Sequence, residues 1–488
     1  MRSWPRFFTI RPSPTAVLSL KRKTTSLTSS RKSRNTDAVS VILFCKAPVP
    51  GRVKTRLAAD FAGAVDLYAS LLDSVIWRLE ADAGIELYLF ADSESIPYFE
   101  ERYPNLSISE QQGHDLGERM QNAFAHVFSI DDASSVVLAG SDVPDFTAET
   151  ARQMAELCKE SDAVLLPSLD GGYSAICLNR RVLADLHRLF HDIVWSTSLV
   201  LETQMRRLVD AGFKAIVMSE AMDDIDVLED LLAYRKGAKR RPLPNADLSF
   251  LEHLPRVVAI LPVLNEAESL PFILPSLLES IWIDEVICVD NGSTDDSSAI
   301  IETNGATLLY CKERGYGAAM LTGIEYASRK APDAILLFMD ADGSDDRTHL
   351  GDLLRPILAG RADFVLGARQ GGLLLHQRAG NILAVWLIRL LWRHSFADLG
   401  PFRAIRLKAL QSLQMNDRNF GWTIQMQIRA VQQGLVTMEI PVPSLRRLGG
   451  KSKVSGTVRG TVLAGTIILR TVFREWCRRR KGFTSHRR

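Results

Sequence analysis

Twice along this chain, short apolar runs alternate with longer stretches whose apolar side chains recur at helical spacing, and the pattern stops and restarts once. Val39–Phe44, Ile85–Ala91, Ser135–Ala139 and Ala163–Pro167 read as strands, with amphipathic helices predicted over Ala62–Leu79 and Leu116–Phe128. The alternation breaks at residues 236–255, where Lys239–Arg241 and three prolines mark a linker. It resumes with Val257–Pro262, Glu285–Asp290, Thr307–Tyr310, Ile335–Asp340 and Phe364–Gly367. Strands that alternate with helices build mostly parallel sheets covered on both faces, an α/β fold, and ligands bind beyond the carboxyl ends of the strands. The expected organisation is a basic leader (1–37), a first α/β domain (38–235), the linker, a second α/β domain (256–460), and an amphipathic helix with a basic tail (461–488).

The charge is unevenly placed. Residues 1–36 hold nine Lys/Arg and no acid, and residues 470–488 hold eight against Glu475. That leaves 42 basic and 56 acidic side chains, a net −14, for residues 37–469. So acidic a body does not suit nucleic acid, and it needs a metal ion to hold a phosphorylated substrate. The leader suits either an organellar transit peptide or a segment without a fold. The apolar run Thr461–Phe473, followed by Arg474 and Arg478–Lys481, leaves two readings open: a helix lying on a membrane surface, or one packed on its own domain. No run approaches the ~20 apolar residues of a spanning helix. Six scattered cysteines without a C-x-x-C pair exclude a zinc ribbon and favour a reducing, cytoplasmic setting.

The second unit carries the clearer chemistry. Asp340-Ala-Asp342 follows an apolar strand, a spacing that lets one or both carboxylates reach a divalent cation, Mg²⁺ or Mn²⁺, bridging a nucleotide diphosphate. Two more strands end in polar turns, at Pro262-Val-Leu-Asn265-Glu266 and at Asp290-Asn291-Gly292-Ser293. This trio resembles the family 2 glycosyltransferases, whose nucleotide-sugar-binding domain is of the GT-A type. The resemblance implies Pro262, Asn265, Glu266 and Asp290 as nucleotide contacts and Asp340 and Asp342 as metal ligands.

Further motifs follow in order: Gly315-Tyr-Gly317 at a helix start, Arg369 after a strand, Gln377-Arg378, Asp398-Leu-Gly-Pro-Phe-Arg403, Phe420-Gly-Trp422, and Lys451-Ser452-Lys453. Together, over about residues 256–472, they look like the polyprenyl-phosphate sugar transferases of the dolichol-phosphate mannose synthase type. The small residues Gly315 and Gly317 would let backbone approach an anion. Lys451 and Ser452 read as part of a loop over the phosphates. A lipid phosphate is already ionised and needs no general base, only cations to position it, and Arg369 and Arg378 match those positions. A hydroxyl acceptor would instead need a carboxylate base, for which Asp398 is the first candidate. Gln425 stands where related sequences usually carry Glu.

In the first unit, Lys46, Arg52, Lys54 and Arg56 fall within eleven residues alongside Gly51 and two prolines, a stiff basic loop suited to phosphates. Gln112-Gly113-His-Asp115, Gly140-Ser141-Asp142, Asp170-Gly171-Gly172-Tyr173, Trp195-Ser196-Thr197 and Asp223-Asp224-Ile-Asp226 complete a series that resembles the DUF2064 or "transferase 1" family, with a nucleotidyltransferase-like GT-A fold. The resemblance implies Asp142 and Asp226 as Mg²⁺ ligands, Lys46, Lys54 and Arg56 as phosphate contacts, and Asp170 and Tyr173 facing an acceptor. Two consecutive GT-A-like, nucleotide-diphospho-sugar transferase domains are therefore expected. The second would move a sugar from a nucleotide donor to a phosphorylated lipid or small-molecule acceptor, with peripheral membrane contact through the C-terminal helix. The first would be a nucleotidyltransferase, a second glycosyltransferase, or a non-catalytic nucleotide-binding module.

Overall fold

The computed structural model describes residues 38–240, 251, 253–371, 375–449 and 458–485. Val39–Arg488 forms one compact unit, and the leader expected at 1–37 lies outside the described residues. The unit contains two seven-stranded sheets. The first is built from β1 (Val39–Cys45), β2 (Ile85–Ala91), β3 (Ser107–Glu110), β4 (Ser135–Gly140), β5 (Ala163–Pro167), β6 (Tyr173–Asn179) and β7 (Ala215–Val217). The second comprises β8 (Val257–Val263), β9 (Glu285–Asp290), β10 (Thr307–Tyr310), β11 (Ile335–Phe338), β12 (Phe364–Gln370), β13 (Arg403–Arg406) and β14 (Thr437–Pro443).

Their strand orders, β3-β2-β1-β4-β6-β5-β7 and β10-β9-β8-β11-β13-β12-β14, are the same topology used twice. In each sheet one strand, β6 or β13, runs antiparallel to both neighbours, and the remaining pairings are parallel. The fold is thus two successive GT-A-like α/β units.

The period-two alternation of side chains sorts the central strands between two layers. Val41 and Leu43 of β1 face one apolar cluster while Ile42 faces another. Ala259 and Leu261 of β8 join that first cluster, and Val258 and Ile260 a third. One face of each sheet therefore feeds a single contiguous core. Burying each such aliphatic side chain is worth roughly 2 kcal/mol, so strands with apolar residues on both faces are committed to the interior. Helix starts follow local capping: the Asp115 and Thr147 side chains accept from backbone N–H groups three residues on, opening Leu116–Ile130 and Ala148–Leu157.

The segment expected as linker begins inside a helix, Leu228–Arg240. Lys236 Nζ donates to the carbonyls of Ser280 (2.8 Å) and Ile283 (3.0 Å), and buried Arg235 pairs with Asp284 at 2.8 Å. From the other side Arg355 holds Asp60 at 2.7 Å, pairs with Glu229, and lies over the Trp282 ring. The two sheets are thereby joined by buried and half-buried cations.

Candidate active site

β11 stops at Phe338, two residues before the expected end at Asp340. The reason is local: the Asp340 N–H donates to Asp345 Oδ2 (2.9 Å), so the chain leaves the ladder and turns. Asp342 Oδ1 accepts from the Ser344 N–H (2.9 Å), which tightens that turn. Asp340, Asp342 and Asp345 consequently crowd one strand end. Burial and the Asp345 and Asp342 charges push the Asp340 carboxyl well above the ordinary range, with Arg369 opposing. Burial, reinforced by Asp342, lifts Asp345 to about 7 against the pull of the Asp340 N–H. The cluster is short of positive charge, which is the condition a divalent cation relieves.

Arg369, near the end of β12, reaches buried Asp398 with a fork: Nε to Oδ2 at 2.7 Å and NH2 to Oδ1 at 3.0 Å, while its backbone N–H donates to Oδ2 at 3.1 Å. Burial alone would raise Asp398, but the Arg369 guanidinium outweighs it and holds the carboxyl below its usual value. A carboxylate with both oxygens taken and its basicity lowered is a poor proton acceptor, which counts against Asp398 as the general base. Beneath lies Arg403, fully buried, donating to the carbonyls of Thr423 (3.0 Å) and Leu399 (3.3 Å) and pushed down to about 10 by burial.

The expected nucleotide contacts gather at the ends of β8 and β9. Asn265, at φ 52°, accepts the Thr294 N–H at 2.7 Å. Asp290 accepts from the N–H groups of Gly292 (3.0 Å) and Ser293 (2.7 Å) and from Ser298 Oγ (2.5 Å); burial opposes, but these bonds keep it ionised below the ordinary value. Pro262 is half-buried in β8. The Glu266 carboxylate accepts from Ser269 Oγ at 3.1 Å and from Arg447 NH2 at 3.0 Å, and Arg447 NH1 meets Asp342 Oδ2 at 2.8 Å.

Gly315 and Gly317 are also required by the packing of the chain itself. A Cβ at either would sit 2.1 Å from the carbonyl oxygen of Arg418 or Asp417, so the loop 417–418 approaches this helix start too closely for any larger residue. Arg378 lies in the helix Leu375–Trp392, with its side chain outside the described part, and Lys451 and Ser452 lie outside the described residues.

Gln425 is fully buried and satisfied. Its Oε1 accepts from the N–H groups of Asn416 (3.0 Å) and Asp417 (2.9 Å), and its Nε2 donates to Glu475 Oε1 at 2.8 Å. Glu475, on the C-terminal helix Val458–Ser485, also receives the Arg429 fork at 2.8 and 3.1 Å. Buried Thr471, Val472 and Glu475 pack that helix on its own unit.

The first sheet presents a cleft of about 500 Å³ lined by Lys46, Lys54, Asp142, Asp170, Tyr173, Asp224 and Asp226. Carboxylate oxygens of Asp142, Asp224 and Asp226 lie within 4.8 Å of one another. Lys54, at φ 45°, sends its Nζ between Asp142 Oδ2 (2.8 Å) and Asp226 Oδ1 (2.9 Å). Burial and the Asp142 and Asp226 charges raise Asp224 to about 6. Lys54 is therefore engaged with carboxylates rather than open to a phosphate. Arg56 stands 73% exposed outside the lining, 3.9 Å from Asp226. Asp170 closes its own turn, accepting the Gly172 N–H at 2.9 Å, and the Tyr173 hydroxyl donates to Gln204 at 3.2 Å.

The pattern of glycosyl transferase family 2 matches residues 258–374, a span that holds Asn265, Glu266, Asp290, Asp340, Asp342 and Arg369. Over 212 residues the chain is 35% identical to an uncharacterized glycosyltransferase of Mycobacterium bovis, covering 43% of this chain and 94% of that protein. The chain belongs to glycosyltransferase family 2. This family 2 glycosyltransferase is also 28% identical, over 221 residues, to an undecaprenyl-phosphate mannosyltransferase of Micrococcus luteus, covering 42% of this chain and 90% of the relative. A solved putative nucleotide-diphospho-sugar transferase from Desulfovibrio desulfuricans is 26% identical, covering 44% of this chain and 93% of its own, with a TM-score of 0.41. Residues 75–197 match DUF2064, described as an uncharacterized protein conserved in bacteria, so a DUF2064 unit precedes the family 2 unit in one chain.

Sequence reasoning named Asp224 within a motif but gave it no role, and passed over Asp345 and Arg447. Asp224 and Asp345 each stand two or three residues from a carboxylate that was singled out, so their signal was present as clustering. Arg447 gave none, because it reaches the site from a strand end remote in sequence.

Proposed function

We propose that this family 2 glycosyltransferase moves a sugar from a nucleotide-diphosphate donor to a polyprenyl phosphate. The observation that carries the acceptor class is the Arg369–Asp398 fork: the carboxylate best placed as a base is locked and weakly basic, so an acceptor that arrives already ionised fits this site better than a hydroxyl. Asp340, Asp342 and Asp345 would hold Mg²⁺ or Mn²⁺, and their crowding fits such a group. When bound, the ion supplies charge neutralisation for the departing nucleotide diphosphate.

The chain's own residues do the rest. Asn265, Glu266 and Asp290 shape the cradle for the nucleotide. Arg369, oriented by Asp398, would position the acceptor phosphate. The undecaprenyl-phosphate mannosyltransferase relative supports the lipid acceptor. So does the surface: on Leu375–Trp392, Ile382, Trp386 and Leu390 are exposed at four-residue spacing, and Leu469 and Phe473 are exposed on the neighbouring C-terminal helix. No Asp or Glu occurs on the first of these helices, and the second carries only buried Glu475. Apolar side chains flanked by arginines without acids suit the surface of an anionic bilayer. Among the described residues no helix is long and apolar enough to cross a membrane.

For the DUF2064 unit we infer a metal-assisted nucleotide site in the cleft that holds Asp142, Asp224 and Asp226. Release of UDP or GDP from a panel of nucleotide sugars by the full chain, with Mn²⁺ or Mg²⁺ and with or without polyprenyl phosphate, tests both proposals. Lipid-dependent release abolished by Asp342→Asn but not by Asp142→Asn is expected. Release driven only by a soluble hydroxyl acceptor would overturn the acceptor assignment. Nucleoside triphosphate turnover lost in Asp142→Asn would establish the DUF2064 unit as catalytic, and its absence would leave that unit a binding module.

A further inference from the structure

The segment Ser444–Gly449, which follows β14, lies along the turn that carries the carboxylates. Ser444 bridges to Asp345, the Leu445 N–H donates to the Ser344 carbonyl (3.0 Å), and the Leu448 N–H donates to the Asp342 carbonyl (3.0 Å). The Leu448 side chain occupies the space beside Gly343, where a Cβ would come within 2.6 Å of it. From this strap Arg447 directs NH1 to Asp342 Oδ2 at 2.8 Å and NH2 to Glu266 Oε1 at 3.0 Å and Oε2 at 3.3 Å. Its Nε is buried without a hydrogen-bond partner. One guanidinium therefore joins the end of β8 to the end of β11, through the two residues assigned above to nucleotide and metal.

We propose that Arg447 is a built-in stand-in for the donor's cation, closing the site until metal and nucleotide diphosphate arrive together. The inference rests on the donor-site reading of Asp342 and Glu266. A divalent ion at Asp342 and a guanidinium paired to the same carboxylate oxygen compete for one acceptor and repel one another. Metal alone offers Arg447 no new partner, so displacing it is uphill. A nucleotide diphosphate offers phosphate oxygens that a planar guanidinium can grip in place of the carboxylates. Arg447 then moves from one anion to another while Asp342 is freed. Metal and nucleotide binding are thereby linked, each strengthening the other. Without this contact the acidic turn would take up free metal with no substrate present.

The test follows free Mn²⁺ by electron paramagnetic resonance in titrations of the full chain, without nucleotide and then with UDP or GDP. Only the component removed by Asp342→Asn is counted, which excludes the Asp142–Asp226 cleft. Losing a charged hydrogen-bonded competitor should tighten nucleotide-free Mn²⁺ binding about tenfold in Arg447→Met. The same variant should lose most of the further tightening that nucleotide produces in the wild type. Arg447→Lys, which keeps the charge but not the fork, should fall between the two, and melting curves establish that each variant is folded. Unchanged or weaker nucleotide-free Mn²⁺ binding in both variants, with the Asp342-dependent component intact, would overturn the stand-in role while leaving the metal site standing. No Asp342-dependent component in any chain, with or without nucleotide, would overturn the donor-site reading and this inference with it.

Discussion

Asp398→Asn separates the two ways a sugar acceptor could be activated here. The side chain is 4% exposed and receives three bonds from Arg369, two of them from the guanidinium. Asn preserves the shape but turns one acceptor oxygen into an NH₂ group that faces a guanidinium N–H. One charge-assisted bond is lost and the other loses its charge. Breaking a buried pair of this kind costs roughly 3 kcal/mol, which for the compact unit Val39–Arg488 lowers the melting temperature by roughly 3 °C.

The pH dependence has a definite sign. The folded-state value of Asp398 is depressed, so its stabilisation is present above the ordinary carboxylate value and is lost as pH falls through the lower folded value. The stability gap between wild type and variant should therefore close below about pH 4.

The kinetic consequence follows from the same contacts. If Asp398 only steers Arg369, the acceptor KM should rise by about tenfold, kcat should fall less, and the acidic limb of the kcat profile should keep its position. A base would behave differently, with a roughly 10²- to 10⁴-fold loss in kcat and no acidic limb. Steady-state kinetics with polyprenyl phosphate from pH 5 to 9 reads these quantities directly. A thousand-fold fall in kcat at unchanged acceptor KM, in a variant that melts like the wild type, would refute the argument made for an ionised acceptor.

Two further outcomes are expected. Gln425→Glu would set a second buried carboxylate 2.8 Å from Glu475 and should destabilise the fold by roughly 3 kcal/mol. Urea melts should show recovery on adding Glu475→Gln, and a single variant as stable as the wild type would contradict the network as drawn. Replacing exposed Trp386 and Phe473 together by Glu should abolish co-sedimentation with vesicles containing anionic lipid and leave the melting temperature within about 1–2 °C, since neither side chain contributes to the core. Undiminished sedimentation would remove this surface from the account.

Much of the fold could be read from local pattern. Strands such as Val39–Cys45 and Ile335–Phe338 are apolar on both faces, and only a covered parallel sheet accommodates them. The strands that escaped notice are obscured at an end or are very short. β6 starts at a tyrosine directly after a glycine turn, and β13 is four residues with arginine at both ends. Arg403 sits in a strand because carbonyls of the loop 399–400 and of Thr423 receive it, partners that no local pattern announces.

The site divides along the same line. Asp142, Asp340 and Asp342 could be singled out because polar residues just past the ends of parallel strands gather at one edge of the sheet, whereas Asp226, which precedes a helix, was implied only by the family resemblance. The sequence alone also indicated two successive α/β units and an acidic body between basic ends; that both sheets share one strand order came from the tertiary structure. The tertiary structure alone also decided pairing. Arg369 with Asp398, Arg447 with Asp342 and Glu266, Lys54 with Asp142 and Asp226, and Glu475 with Gln425 join residues from 29 to 181 positions apart. Residue type shows that a charge exists, but whether it is free to act depends on what the folded chain places within about 3 Å of it.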